Sequence, residues 1–411
     1  MEMKVRYWIW FWLAPLAGAQ PVSSLVEEAL HNNREILAAQ KKVEALRQRP
    51  ASESSLPDPK LSLAWASNGA PWPGSGLGIY LTSYIGLLVS QEVPAPGKRR
   101  LRGEIADKEA AAAFSEYRAT RLSVVWRLKQ AYQLMNHAVD SLYYLDRQQE
   151  LLNGMLRTAE SRYAAGRGSQ QDILRAQTQL AIYATQRVRY EQTRAARQIE
   201  INALLNRPQG GRIEVPGVVT AVPISATLQE MLLQARANSP LVERGKDVVQ
   251  GSELAASLAR KDYAPDYTLS GGYFNQGGLP PLWKAQVDFK LPAYFWRKQR
   301  AEVTGQEASA SQARHEYAAT LVEVEAEIRE QYSTAEASLK LVNLYEKTVI
   351  PEARLAYESA LASYQAGRGD FIAPFTSFIS VVDYTLTDHE EIVQSRIALA
   401  KLEELTGVET R

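Results

Sequence analysis

Tyr163-Ala164-Ala165-Gly166-Arg167-Gly168 and Tyr364-Gln365-Ala366-Gly367-Arg368-Gly369 are one Y-x-x-G-x-G phrase written twice, 201 residues apart. Three further pairs keep nearly the same spacing. Pro57-Asp58 with Leu61-Ser62 returns as Pro265-Asp266 with Leu269-Ser270, and Val93-Pro94-Ala95 returns as Leu291-Pro292-Ala293. Leu25-Val26-Glu27-Glu28-Ala29-Leu30 returns as Leu228-Gln229-Glu230-Met231-Leu232-Leu233. The spacing falls from 208 to 198 across residues 68–79, where Gly and Pro cluster, so the drift is confined to a loop of the first copy. Solenoid repeats run on the order of 20–50 residues, so a unit this long is a duplicated domain. The first copy is expected over 20–207, a linker over 208–224 and the second copy over 225–411. Pro208, Gly210, Gly211, Pro216, Gly217 and Pro223, with Ile213, Val215, Val218 and Val219 between them, give the seam an extended character.

Upstream of each phrase lies a very long helical pattern. Between Gly97 and Tyr163 there is no proline, and Ala110, Tyr117, Val124, Ala131, Ala138, Leu145, Leu152 and Ala159 recur every seven residues. Phe114, Leu128, Met135, Leu142, Leu156 and Tyr163 form a second stripe, so the stretch reads as a heptad-patterned helix. At ~1.5 Å per residue such a rod reaches roughly 100 Å. The second copy repeats it from Arg297 to Tyr364, with Leu321, Ile328, Ala335, Val342, Val349 and Ala356 in phase and Pro351 expected to kink or split it. Gly166 and Gly367 are natural left-handed helix stops. Ser169 with Asp172 reads as a capping box for a return helix over 169–206, and Asp370 as the cap of a second return helix over 370–406. Periodicity alone favours an isolated coiled-coil rod or stalk; a barrel of helices follows only once the strands are counted.

Each copy also holds a pair of strand patterns, about 60–93 and about 267–292. Trp283, Ala285, Val287, Phe289 and Leu291 alternate with Lys284, Gln286, Asp288 and Lys290, and Tyr267–Asn275 is their partner. In the first copy Leu61, Leu63 and Trp65 alternate with Lys60, Ser62 and Ala64; Ile79, Leu81, Ile85, Leu87 and Val89 alternate with Tyr80, Thr82, Tyr84, Gly86 and Ser90. Such a pattern suits a half-buried hairpin on a soluble domain or a transmembrane β-strand of ~9–11 residues. Four strands cannot close a barrel, so in a bilayer several chains must contribute. Eight strands need two chains and twelve need three.

The chain of 411 residues carries 47 Lys and Arg against 46 Asp and Glu, and no Cys. The net charge of +1 argues against a nucleic-acid partner, and the lack of Cys excludes thiol catalysis, disulfides, thiolate metal sites and a lipid anchored on cysteine. Lys4 and Arg6, the apolar run Tyr7–Leu16 and the small-residue site Ala17-Gly18-Ala19 read as a secretory signal peptide over 1–19. No later apolar run is long enough for a transmembrane helix, so membrane entry would be as β-structure. His31, His137, His315 and His389 fall in no metal-ligand spacing, and His389-Glu390-Glu391 reads as a solvated helix face. No phosphate-binding loop or nucleophile elbow occurs. No catalytic, cofactor or metal site is expected.

This order of parts resembles the TolC-like outer-membrane efflux protein family over the whole mature chain. Leu56-Pro57-Asp58-Pro59 and Ser90-Gln91-Glu92-Val93-Pro94-Ala95-Pro96-Gly97-Lys98 look like the heavy-metal branch of that family, the CzcC/CusC-like proteins. The resemblance implies a mainly α fold with a small β part. Long antiparallel helical hairpins would form a trimeric α-barrel, capped by a twelve-stranded barrel in the outer-membrane lipid. It implies a homotrimer that receives metal cations or small toxic compounds from a proton-driven inner-membrane pump through a periplasmic adaptor, in a Gram-negative bacterium. Carried over, the adaptor-docking tips are Gly166, Arg167, Gly168 and Ser169, with Gly367, Arg368, Gly369 and Asp370. Family members can line a closed aperture with acidic residues of the second return helix. Here Phe371–Thr376 holds no carboxylate, leaving Asp172 and Asp370 as candidates. A type I protein-secretion duct and a periplasmic coiled-coil adaptor or stalk are the alternatives.

Overall fold

The computed structural model describes residues 20–217 and 220–408; the expected signal peptide, and Val218 and Val219 of the linker, lie outside them. The described chain holds α1 (Val22–Asn32), α2 (Arg34–Leu46), α3 (Arg49–Glu53), β1 (Lys60–Ala66), β2 (Tyr84–Val93), α4 (Lys98–Ala164) and α5 (Gln170–Leu204). The second copy follows with α6 (Leu228–Asn238), α7 (Pro240–Lys261), β3 (Asp266–Gln276), β4 (Leu279–Lys290), α8 (Lys298–Leu344), α9 (Ile350–Gln365) and α10 (Ile372–Thr406). The duplication is therefore element for element, with helices before each strand pair that the sequence patterns had only partly marked. Two compact units draw on both copies. One is Ala38–Thr120 with Gln234–Ala326 and carries the sheet; the other takes the described residues of 1–37, 121–233 and 327–411 and carries both Y-x-x-G-x-G turns.

α4 runs unbroken for 67 residues. The heptad seam is the reason: Val124, Ala131, Ala138, Leu145, Leu152 and Ala159 are all buried. The second stripe holds less well, because Phe114 and Tyr163 are exposed. Pro351 interrupts the second rod as expected. It has no N–H to donate, and the turn before it, Tyr345–Val349, widens to a π-turn between α8 and α9. Ala356, beyond that interruption, has left the buried phase.

In the turn-bearing unit, Leu145, Leu152, Met155 and Ala159 of α4 pack with Ala176 and Tyr183 of α5, Tyr364 of α9, and Phe371, Phe375, Phe378 and Val382 of α10. Each of the larger side chains contributes about 1.5–3 kcal/mol through burial. In the sheet-bearing unit, ion pairs tie the helices side by side: Lys42 to Glu116 at 2.8 Å, Lys108 to Asp247 at 3.2 Å and Arg260 to Glu307 at 2.7 Å. Lys98, the first residue of α4, is buried against Asp262 (3.0 Å) at the end of α7 and Asp266 (2.9 Å) at the start of β3. Ala95 N–H donates to the same Asp266 oxygen at 2.8 Å. The Pro-Ala-Pro-Gly-Lys segment thus joins strand to helix.

Candidate functional site: an amphipathic sheet and two helix tips

The four strands form one antiparallel sheet in the order β1-β2-β3-β4, so the two copies meet at β2 and β3. β2 starts later than the alternation suggested. Ile79 and Leu81 sit in a loop where Gly74, Gly76 and Gly78 all take positive φ, which turns the chain instead of extending it. β4 starts earlier, at Leu279, after a two-residue turn at Gly277-Gly278, and includes Pro280 and Pro281. An edge strand tolerates those prolines.

Register settles the two faces. Leu61 pairs with Val89, Leu63 with Leu87 and Trp65 with Ile85. Leu87 pairs in turn with Tyr273, Val93 with Tyr267, Tyr273 with Trp283, Leu269 with Val287 and Tyr267 with Phe289. Residues directly opposite share a face. This face is apolar across all four strands save for Gln91 and Asn275, and it is exposed: Leu61 is 69 %, Trp283 74 % and Phe289 62 % accessible. Its aromatics fall in two bands, Trp65, Tyr273 and Trp283 toward one end and Tyr267 and Phe289 toward the other, with Leu61, Val89, Leu269, Ala285 and Val287, and the one polar Gln91, between. From Trp283 to Phe289 is ~20 Å of strand, close to the height of the apolar belt between the aromatic girdles of an outer-membrane barrel. The other face carries Lys60, Ser62, Ser90, Glu92, Asp266, Thr268, Ser270, Lys284, Gln286, Asp288 and Lys290, with Tyr84, Leu88, Phe274 and Leu282 gathered toward the Trp65 end. There Ser270 Oγ donates to Ser90 Oγ at 3.0 Å. Greasy outside and wet inside is the requirement for a strand between lipid and an aqueous bore.

The tips lie in the other unit. At the first, Arg167 N–H donates to Arg162 O at 2.8 Å and Gly166 N–H to Tyr163 O at 2.9 Å, with Gly166 at φ 69°. At the second, Arg368 N–H donates to Ser363 O and Gly367 N–H to Tyr364 O, both at 3.0 Å, with Gly367 at φ 77°. Both are Schellman stops. Arg162 straps them together: its Nη1 donates to Tyr364 O at 2.8 Å and its guanidinium lies 4.2 Å from the Tyr364 ring centroid. Arg167 and Arg368 project into solvent, as does Asp370.

The helix starts differ. Ser169 Oγ accepts from Gln171 N–H at 3.1 Å and Asp172 Oδ2 accepts from Ser169 N–H at 3.4 Å, the expected capping box. Asp370 does not cap α10. The cap position is Phe371, already helical at φ −59° and ψ −32°, with its ring buried, stacked on Phe375 at 5.4 Å and edge-on to Tyr364 at 5.7 Å. Burying Phe371 fixes where the backbone turns helical and leaves Asp370 outside it. Of the aperture candidates, Asp172 is engaged in its cap and Asp370 is exposed.

His389 is not on a solvated face. Its Nδ1 lies 2.7 Å from Asp140 Oδ2 of α4, and its ring meets Tyr144 edge-on at 6.0 Å. Glu391 accepts from Ser338 Oγ of α8 at 2.6 Å. No signal in the bare spacing of these residues marked them, since their partners sit on other helices. Among the described residues no group of three or more His, Asp or Glu is placed to hold a metal, and no helix is long and apolar enough to cross a membrane.

A sheet built to divide lipid from water, on a chain that cannot close it alone, joined to paired long helices, defines a pore-forming subunit. The outer membrane efflux protein family model matches residues 25–207 and 231–371, more than half of the chain, and the chain belongs to that family. It is therefore an outer-membrane efflux channel that extends into the periplasm, in a family of channels and not of enzymes. Channels of this family are trimeric and work with adaptors and pumps. Among solved structures, CusC superposes with a TM-score of 0.77 at 16 % identity, over 94 % of this chain and 92 % of that one. VceC of Vibrio cholerae gives 0.80 at 18 %, covering 95 % and 97 %, and the open state of MtrE of Neisseria gonorrhoeae gives 0.74 at 18 %, covering 94 % and 89 %. No curated protein sequence matches.

Proposed function

We propose that three copies of this chain form the passive exit duct of a tripartite system, which discharges metal cations or small toxic compounds delivered by a proton-driven inner-membrane pump through a periplasmic adaptor. The observation that carries the docking part is the pair of tips. Gly166, Arg167, Gly168 and Ser169 stand beside Gly367, Arg368, Gly369 and Asp370, strapped by Arg162, so each subunit offers two exposed cationic knuckles at one end. The metal-cation reading is supported by the Leu56–Pro59 and Ser90–Lys98 segments and by the likeness to CusC. Those segments frame the sheet, as Lys98 does, so selection among substrates belongs to the pump. Asp370 is the one exposed carboxylate among the eight tip residues, which also carry Arg167 and Arg368, so the tips offer little to hold a cation.

The test is a deletion strain complemented with wild-type chain or with Arg167→Glu/Arg368→Glu. Deletion should raise sensitivity to copper, zinc or cobalt salts, or to dyes and detergents. The tip variant should form normal trimers yet fail to complement and lose its chemical cross-link to the adaptor. Unchanged sensitivity to every compound after deletion would remove the efflux reading. Full complementation by the tip variant would remove the docking reading.

A further inference from the structure

The four strands join helices at one end only: β1 follows α3, β2 leads into α4, β3 follows α7 and β4 leads into α8. The other end holds the Gly277-Gly278 turn and the loop 67–83, and in a channel that extends into the periplasm this end faces the outside. From Leu61 to Gln91 the chain has no Asp, Glu, Lys or Arg. Within the loop Trp72, Ile79 and Leu81 are 73 %, 74 % and 74 % accessible, and Tyr80 is half exposed. An uncharged loop with its apolar side chains in the open marks an interaction surface. The sheet shows which way the loop lies. At this end of β3 the lipid-side residues Gly271, Tyr273 and Asn275 are exposed, whereas Phe274 and Gln276 of the bore side are buried. Gln276 Nε2 donates to Leu81 O, and Gly78 N–H donates to Gln276 O at 2.8 Å. Backbone rests on backbone there, since a Cβ on Gly277 would come within 2.6 Å of Gly78 N. At the loop base the buried Ser83 Oγ accepts from Asn68 N–H at 3.2 Å. The loop is folded over the bore side of its own sheet and not out onto the lipid.

We propose that loop 67–83 of each subunit meets the same loop of the other copies of this chain over the outer mouth of the barrel, and that together they form an apolar lid. The proposal adds an outer barrier to the trimeric duct reading and rests on that reading. Three observations select this occupant. First, reach: twelve strands ~4.8 Å apart and tilted by ~40° give a barrel of ~12 Å backbone radius. Half of the loop, extended, spans ~25 Å, enough to bring its tip to the axis. Second, charge: a residue that meets its own copies on a symmetry axis faces like charge wherever it is charged, and this loop carries none. An anionic lipid surface would instead be met by Lys or Arg, and the loop offers neither. Third, continuity: the bore face beneath the loop is itself apolar, with Tyr84, Leu88, Phe274 and Leu282 gathered there and Tyr84 edge-on to Phe274 at 4.9 Å. Burying Trp72, Ile79 and Leu81 against one another continues that lining across the mouth. An apolar constriction holds back hydrated solutes by shedding its own water. Gly69, Gly74, Gly76 and Gly78, all at positive φ, leave the loop the hinges to part for outgoing cargo.

The chain has no cysteine, so single introduced thiols report on the mouth. The full-length channel is oxidised in intact cells as Trp72→Cys, as Ile79→Cys and, for a position on the lipid face, as Leu61→Cys. The two loop variants should give covalent dimers and Leu61→Cys none. Native trimers in which neither loop thiol cross-links would overturn the proposal. An equal yield from Leu61→Cys would make the dimers collisions between channels and overturn it as well. The barrier is read separately at Ser62→Cys, on the bore face, by a maleimide-polyethylene glycol added to the medium and too large for general porins. Adding Trp72→Asp with Leu81→Asp sets like charges together at the axis, and labelling of Ser62→Cys should then run about tenfold faster. An unchanged rate would overturn the lid. A wild-type channel that is monomeric by native mass spectrometry would instead sink the trimer reading beneath it, so the two failures are distinguishable.

Discussion

The two return helices start from the same phrase and end up with opposite surroundings. After the first tip come Ser169, Gln170 and Leu174, and at the corresponding places after the second come Asp370, Phe371 and Phe375. Gln170 and Leu174 are exposed, whereas Phe371 and Phe375 are buried. α5 is held at its start by a polar capping box and stays exposed along much of its length; α10 is held by aromatic stacking and is buried along much of its length. Duplication supplied one hairpin design. Divergence then made one copy's return helix a core element and the other's an edge. A channel wall needs both, since a subunit must be cohesive within and adhesive at its sides.

The sharpest way to break this contrast is Phe371→Ala. The ring fills the space between Tyr364 and Phe375, so its loss leaves a cavity at the base of α10 costing about 3–5 kcal/mol. Thermal melting of the detergent-solubilised channel should shift down, and trypsin should cut after Arg368 far faster than after Arg167. Equal acceleration at both arginines would mean that the strap, and not the aromatic stack, holds the second tip.

A second contrast lies deeper in α10, which buries a carboxylate where α5 buries none. Asp388 is 5 % exposed, and burial, with Glu346 nearby, pushes its carboxyl up to about 6. A carboxyl raised in the fold stabilises most while protonated, below its unfolded value, and that stability is lost as pH rises through about 6. Asp388→Asn should therefore melt higher than wild type at pH 7.5, by the equivalent of ~1–2 kcal/mol, and no higher at pH 4. A gap between the two proteins that is constant with pH would assign the effect to packing.

Much of this was legible in the sequence, and the reasons differ by element. The tips were legible because a helix stop is local chemistry: a glycine at positive φ and two backbone hydrogen bonds suffice. The α4 seam was legible because its buried positions are strongly apolar and strictly periodic. The start of β2 is not legible, because the alternation at Ile79 and Leu81 follows directly on glycines at positive φ that turn the backbone. The His389–Asp140 contact was invisible because it joins residues 249 positions apart on two helices.

The misread cap gives the finest test. Asp, like Ser, is a strong cap residue, and propensity alone would value Ser169 and Asp370 alike. In the fold they are not alike. Ser169 takes an extended backbone, φ −101° and ψ 143°, from which its hydroxyl reaches the first free N–H groups, and Asp172 answers it. Asp370 makes no side-chain hydrogen bond to the N–H groups that open α10, and the buried Phe371 ring beside it holds the helix start instead. Ser169→Ala should cost about 1 kcal/mol, the ordinary value for a lost cap, and should speed hydrogen exchange at Gln171 and Asp172. Asp370→Ala should leave exchange at the start of α10 unchanged and melting within about 0.5 kcal/mol of wild type, as for a surface substitution. If Asp370→Ala instead opened α10 to exchange, its carboxylate would be supporting the helix start in solution, and Phe371 would not be the residue that fixes it.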